Sequence, residues 1–251
     1  MKEMKNELIE GKSGLIVPGL NAVDGESQVV IMAHGFGSQK RGHTPLFMTR
    51  GLKAAGFGVY GFDFPAHGDS PLEGGEMTME HCVESYAVAE VRARELAPEA
   101  EILYFGSSFG AYTTLLYLAD RPHEGKKAFL RSAAIDMPKL IWQIAAEEGK
   151  TFERDGCCDL TYYNRPFRLT RAFCEDMGWY NVFERYQKGS TQLLMIHGEE
   201  DSTASPEAAR RFAKEKGAEL IMVPRAEHRL MEPGNPERAL QAAIDFFRRQ
   251  D

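Results

Sequence analysis

The sequence predicts an α/β protein: a mostly parallel central sheet with helices on both faces and one short segment inserted over the sheet edge. Two observations carry this. Short apolar runs of five to seven residues alternate with longer stretches of helical periodicity, the pattern of strands buried on both faces and crossover helices. The rhythm then breaks once, over residues 137–188, and resumes.

Taken in order, QVVIMAH (Gln28–His34) reads as a buried strand, followed by a glycine-rich run. FMTRGLKAAG (Phe47–Gly56) reads as a helix with a glycine stop, and GVYGFDF (Gly58–Phe64) as the next strand. The 18 residues Met79–Leu96 have helical spacing and end before Pro98. Glu101–Ser107 is a strand and Phe109–Arg121 a helix; Lys127–Ile135 is a further strand. After the interruption come a strand (Gln192–Gly198) and the helical stretch Ser205–Gly217, with Ser205 as N-cap, Pro206 at the first position and Gly217 as its stop. A strand (Glu219–Arg225) and a helix (Glu237–Gln250) close the chain. The 251 residues suit one domain, 1–251, with residues 137–188 as a cap within it. That segment holds ten aromatic residues in 52 positions, about twice the chain average, as a pocket wall or a packed lid would.

Composition narrows the partners. A net charge of −7 argues against nucleic acid and anionic membrane, both of which select basic surfaces. No apolar stretch approaches the length of a membrane span, and the first residues lack the apolar core of a secretory signal. The four cysteines, Cys82, Cys157, Cys158 and Cys174, show no CxxC spacing and read as buried thiols of a cytoplasmic protein. His43, His81, His123 and His197 show no paired ligand spacing, so neither a metal nor another cofactor is expected.

The chemistry-bearing positions follow the strands. In GSSFG (Gly106–Gly110) only Ser108 stands at the centre of G-x-S-x-G; Ser107 has phenylalanines two residues away on both sides. A serine on a sharp strand-to-helix turn is backbone-strained and tolerates only glycine two residues either side. A serine hydroxyl also needs a base, and in this architecture an acid and then a histidine follow it in the chain. Asp201, in HGEED, and His228, in RAEHRL, each come just after a strand. Ser108 is therefore the expected nucleophile, His228 the base and Asp201 the acid that orients it. Glu199, Glu200 and Asp136 remain rival acids, Asp136 because it too follows a strand. In His34-Gly35-Phe36-Gly37 the glycines let the backbone approach a ligand; the Phe36 and Phe109 N–H groups are the candidate oxyanion donors. His34 reads as a residue that holds this loop, and His67 as a turn residue.

The blocks HGFG, FDFPAHGDS, GSSFG and HGEED…AEH, spread from Val29 to His228, resemble those of the α/β-hydrolase superfamily. HGF, FDF..HGDS and the short aromatic insertion are similar to the cinnamoyl and feruloyl esterases of intestinal bacteria. Members often carry histidine where this chain has Ser107, and Gly-Gly where it has Gly110-Ala111. The resemblance implies an α/β-hydrolase fold and hydrolysis of hydroxycinnamate or other short acyl esters, the cap holding the aryl group. Trp142, Tyr163 and Trp179 are the candidate pocket residues. A monoacylglycerol-type lipase, an acyl-thioesterase, an acyl-peptidase and a non-catalytic binding protein stay open, as does a homodimer. The expected partner is a small-molecule ester.

Overall fold

The computed structural model describes residues 4–147, 152, 156–162, 165–189 and 191–250. Ten strands and eight helices follow one another along these residues. Strands β1 (Lys5–Glu10), β2 (Ile16–Ala22), β3 (Gln28–Ala33), β4 (Gly58–Phe62), β5 (Glu101–Ser107), β6 (Lys127–Arg131), β9 (Gln192–Gly198) and β10 (Glu219–Val223) form one sheet. Its order is β1-β2-β4-β3-β5-β6-β9-β10. From β4 to β10 every pairing is parallel; β1 with β2 and β2 with β4 are antiparallel. This is the mostly parallel, helix-covered sheet of an α/β-hydrolase fold.

Side-chain alternation assigns each strand residue to one face. Val29, Ile31, Ala33, Ile102, Tyr104, Leu193 and Met195 join one apolar cluster. With them pack α2 (Met79–Leu96), α3 (Phe109–Asp120) and α7 (Pro206–Lys216). Val30, Met32, Leu103, Phe105, Leu194 and Ile196 join the other, under α1 (His43–Ala54) and α8 (Asn235–Phe247). The strand order reverses around β3: the chain steps from β3 outward to β4, then crosses back to β5 on the opposite side. In open parallel sheets, crevices that bind ligands lie beyond the carboxyl ends of strands at such a reversal.

Several elements differ from expectation at their ends. β1 and β2 carry no sequence expectation; β1, KNELIE, is a polar edge strand with little buried surface, so it lacks the apolar signal of its neighbours. α1 begins four residues before its expected start, because Pro45 lies in the first turn, where a missing N–H leaves no bond unmade. β6 stops at Arg131 rather than Ile135: Ser132 takes φ +46° and gives its N–H to the Ile196 carbonyl at 2.8 Å, which turns the chain out of the sheet. Likewise β4 ends at Phe62 and β10 at Val223, and α8 runs Asn235–Phe247, with Pro236 in its first turn. The expected caps of α7 hold: the Ser205 hydroxyl accepts from Ala208 N–H, and Gly217 is left-handed with φ +72°.

Between β6 and β9 lie α4 (Met137–Glu147), an antiparallel pair β7 (Cys157–Tyr162) and β8 (Arg165–Thr170), α5 (Arg171–Met177) and α6 (Val182–Arg185). The Thr170 hydroxyl caps α5 by accepting from Phe173 N–H at 3.1 Å.

Candidate active site

Ser108 sits where β5 ends and α3 begins, with φ +54° and ψ −114°. A non-glycine residue there is strained, and its neighbours show what imposes the turn. A Cβ on Gly106 would lie 2.5 Å from Thr114 Oγ1 and 2.6 Å from Ala111 Cα. A Cβ on Gly110 would lie 2.4 Å from the Ala33 carbonyl and 2.5 Å from that of His34. Both glycines are therefore required by contact, the first inside the turn and the second where α3 crosses β3. The Ser108 N–H donates to the Arg131 carbonyl at 2.9 Å, and the Ser108 carbonyl accepts from Tyr112 N–H at 3.1 Å, so the strained residue is held on both sides.

The structure brings Asp201 and His228 to this serine. His228 Nε2 is 2.9 Å from Ser108 Oγ, and His228 Nδ1 is 2.8 Å from Asp201 Oδ2. The carboxylate needs Nδ1 to carry the proton, which leaves Nε2 as the acceptor for the serine O–H. Asp201 is buried, and burial opposes its ionisation. Hydrogen bonds from His197, His228 and Ala204 N–H outweigh that and hold the carboxyl well below the usual carboxylate range. Oδ1 accepts from Thr203 and Ala204 N–H at 2.9 and 2.8 Å; Oδ2 accepts from His228 and from His197 Nε2 at 3.0 Å. Asp136 belongs to the start of α4, where its carbonyl accepts from Lys139 and Leu140 N–H. Glu199 and Glu200 point to solvent. Of the rival acids, none takes the place of Asp201 on His228.

His197 carries a role the sequence reading missed. Its Nε2 faces two acceptors, the Ala204 carbonyl at 2.9 Å and Asp201 Oδ2. The proton must sit on Nε2, because a lone pair there would oppose both oxygens. Nδ1 is buried with no partner among the described residues, which a lone pair tolerates better than an N–H would. The signal in the sequence was its spacing, four residues before Asp201 across the strand end.

The loop after β3 lies directly on the serine. A Cβ on Gly35 would be 3.4 Å from Ser108 Cβ and 4.0 Å from its Oγ. Phe36, the next residue, packs its ring edge-to-face on Phe109 at 5.8 Å. Phe109 N–H, at the first position of α3, has no intrahelical acceptor and stands at the positive end of the helix. Two buried histidines secure this loop. His34 donates Nδ1–H to the Gly35 carbonyl at 2.8 Å and accepts Phe64 N–H at Nε2. His67 donates Nδ1–H to the Pro65 carbonyl at 2.8 Å and accepts Gly37 N–H at Nε2, 2.9 Å away. Burial first, and the neighbouring His34 second, push His67 down to about 3. Burial likewise lowers His34. Both rings act as neutral hydrogen-bonding spacers, so His67 does more than fill a turn. Behind them Lys40, also buried, gives Nζ–H to Asp63 at 2.5 Å and to Asp69 at 2.6 Å, and its backbone N–H to Asp63 at 2.6 Å.

Among the described residues, one aromatic residue of the inserted segment packs on this loop. Phe167, buried on β8, packs 4.8 Å from the Phe36 ring and 4.9 Å from His67. Of the three expected pocket residues, Trp142 and Trp179 make no ring contact with this loop among the described residues. Trp142 is 36% exposed and lies edge-on to Phe152 at 5.4 Å, with the Arg171 guanidinium over both rings. Trp179 is 79% exposed, so the fold leaves its ring in solvent rather than in a buried wall. Tyr163 lies outside the described residues. Among the described residues no group of three His, Cys, Asp or Glu side chains is placed to hold a metal, and no helix is long and apolar enough to cross a membrane.

Taken as chemistry, the site has a hydroxyl with its proton directed at an imidazole, an imidazole oriented by a saturated carboxylate, and a glycine-lined loop against the hydroxyl. Solved structures share the surrounding fold. Est1E from Butyrivibrio proteoclasticus, solved with ferulic acid bound, aligns with a TM-score of 0.79 at 17% identity, over 97% of this chain and all of its own (100%). A putative hydrolase from Agrobacterium vitis S4 aligns with a TM-score of 0.78 at 19% identity, over 97% of this chain and 98% of its own. The Pyrococcus furiosus esterase Pf2001 aligns with a TM-score of 0.72 at 19% identity, over 98% and 92%. No curated protein matches the sequence. The family described as serine aminopeptidase, S33 (Hydrolase_4) matches residues 25–154, just over half of the chain. The chain thus belongs to the serine aminopeptidase S33 family of α/β-hydrolases.

Proposed function

We propose that this protein is a serine hydrolase of carboxylic esters, working through an acyl-enzyme. The observation that carries the reading is the unbroken chain Ser108 Oγ, His228 Nε2, His228 Nδ1, Asp201 Oδ2, with links of 2.9 and 2.8 Å. In this reading Ser108 attacks the ester carbonyl while His228 takes its proton. The tetrahedral oxyanion forms beside the Phe36 and Phe109 N–H groups. His228 then returns the proton to the leaving alcohol, and water repeats the sequence to free the acid. Asp201 holds the ring and balances the imidazolium charge without itself taking the proton.

For the substrate we infer a small ester with an apolar or aromatic acyl group. The Phe167 ring of the inserted segment, which we read as the cap, supports it by packing edge-to-face on Phe36 in the loop beside the serine. The esterase neighbours, one solved with ferulic acid, point the same way. A second reading, cleavage after an amino-terminal residue, is favoured by the family description.

A single panel tests both. Methyl hydroxycinnamates, p-nitrophenyl esters of increasing acyl length and amino-acid p-nitroanilides are compared at equal concentration. The expected order is aromatic and short esters well ahead of long esters and anilides. Faster anilide cleavage replaces the ester reading with the peptidase one. A fluorophosphonate probe should label wild type and not Ser108→Ala, and that substitution should lower kcat by about 10⁴-fold or more. Equal labelling of the two proteins would remove Ser108 from the nucleophile's role.

A further inference from the structure

His228 is carried on irregular chain. Between β10 and α8 no helix or strand forms, and Arg225 and Leu230 both take positive φ, +56° and +42°. Such residues persist only where their surroundings over-determine them. Part of the restraint is local. Glu200 N–H donates to the Ala226 carbonyl and Leu230 N–H to that of Glu227, both at 3.0 Å. Glu232 accepts Glu227 N–H at 2.9 Å and the Asn235 side-chain amide at 2.8 Å, closing the turn on itself.

The rest comes from across the sheet. Arg131, the last residue of β6, is only 6% exposed. Its guanidinium donates from one nitrogen to Ser107 Oγ at 3.0 Å and from another to the Arg229 carbonyl. Its own carbonyl accepts Ser108 N–H. Glu232 lies close enough to feel its charge. One residue thus touches the chain immediately before the serine, at the serine, and immediately after the histidine.

We propose that Arg131 is a positioning residue for this site: its planar fork ties the serine-bearing turn to the histidine-bearing turn and so sets the distance from Ser108 Oγ to His228 Nε2. The proposal rests on the reading of Ser108 and His228 as nucleophile and base. The chemistry suits arginine in particular. A guanidinium presents two N–H donors at fixed separation, whereas a lysine ammonium is a single flexible point and fixes no distance between two acceptors. Ser107 then has a purpose of its own: a small hydroxyl acceptor that leaves room for the guanidinium.

The test uses the full chain and a p-nitrophenyl ester, with active sites counted from the initial p-nitrophenol burst so that kcat refers to competent sites only. Arg131→Lys and Arg131→Met should both lose about 30- to 100-fold in kcat per titrated site, the scale expected for a misplacement of about 1 Å, with KM within about twofold. Ser107→Ala removes one acceptor without opening a large cavity and should lose about three- to tenfold in the same quantity. Fluorophosphonate labelling should slow in parallel. A purely structural arginine would give fewer titratable sites with wild-type kcat at each, and that result overturns the proposal. So does full activity in Arg131→Lys, or wild-type kcat in Ser107→Ala should the Arg131 variants fail to fold. If wild type itself does not label, the nucleophile assignment falls and this proposal falls with it; if wild type labels and the variants label at its rate, the proposal falls alone.

Discussion

The aromatic residues around the serine are uniformly buried, whereas the described ones of the inserted segment run from buried (Phe167, Phe173, Tyr186) to exposed (Trp142, Trp179). Phe36, Phe62, Phe64 and Phe109 pack edge-to-face with His34 and His67 in a buried cluster beneath the loop that follows β3. In the insertion, Trp142 and Trp179 are among the most exposed large apolar residues of the described chain, and Trp142 shares the Arg171 guanidinium with Phe152. The cluster is bounded by strands whose spacing allows no slack, so its rings have one arrangement. In the insertion, guanidinium groups lie over the rings of Trp142, Phe152, Tyr180 and Phe183. The body alone brings Ser108, Asp201 and His228 together, while among the described residues the insertion's rings meet the loop beside the serine through Phe167.

Substitutions can break this contrast, beginning with the largest effect. Asp201→Asn should lower kcat by about 10⁴-fold for every ester while the protein stays folded, because an amide favours the wrong His228 tautomer. Steady-state kinetics with circular dichroism checks this; near-normal turnover, with the loss appearing in Asp136→Asn instead, would move the acid to the other strand. Next, Lys40→Met leaves the Asp63 carboxylate buried beside the loop without its cation and should cost about 3–5 kcal/mol of stability, read from urea denaturation. A change below about 1 kcal/mol would mean that the backbone donors to Asp63 suffice.

A smaller effect separates the two regions by pH. His67 titrates near 6.5 when unfolded and near 3 when folded. Its contribution is complete above the unfolded value. As pH falls from about 6.5 towards 3, the unfolded chain takes up a proton that the folded one refuses, and stability drops by up to about 1.4 kcal/mol per unit. His34 has the same sign. His67→Gln keeps a donor for Pro65 and an acceptor for Gly37 without titrating, so it should flatten the decline between pH 6.5 and 5; an unchanged slope would assign the acid sensitivity elsewhere. Smallest of all are the insertion's own effects. Phe167→Leu should shift the ratio of kcat/KM between aromatic and aliphatic esters by about tenfold, roughly 1.4 kcal/mol, and Trp179→Ala should shift it by less than twofold, within the usual range of about 0.5 kcal/mol for surface sites. The reverse ranking would make Trp179 the ring that meets substrate.

The parallel strands and their covering helices were legible because a doubly covered parallel sheet requires uninterrupted apolar runs, as in Val29–Ala33 and Ile102–Phe105. That Ser108, Asp201 and His228 meet was legible because each stands just past a strand end and the two glycines leave a steric signature. Which aromatic of the insertion packs on the serine's loop was not legible. Trp142, Trp179 and Phe167 are equally apolar in sequence, and only the pairing of β7 with β8 turns Phe167 inward.

What the sequence determined by itself is therefore the alternation of elements and the order of serine, acid and histidine, since both follow from local rules of burial and turn sterics. The tertiary structure alone decided which buried polar groups serve the site. His67 reaches Gly37 from the turn after β4, and Arg131 spans two turns that lie 24 and 98 positions from it along the chain. Hydrogen bonds of that range leave no periodic trace, because their partners are brought together by the sheet order rather than by spacing along the chain.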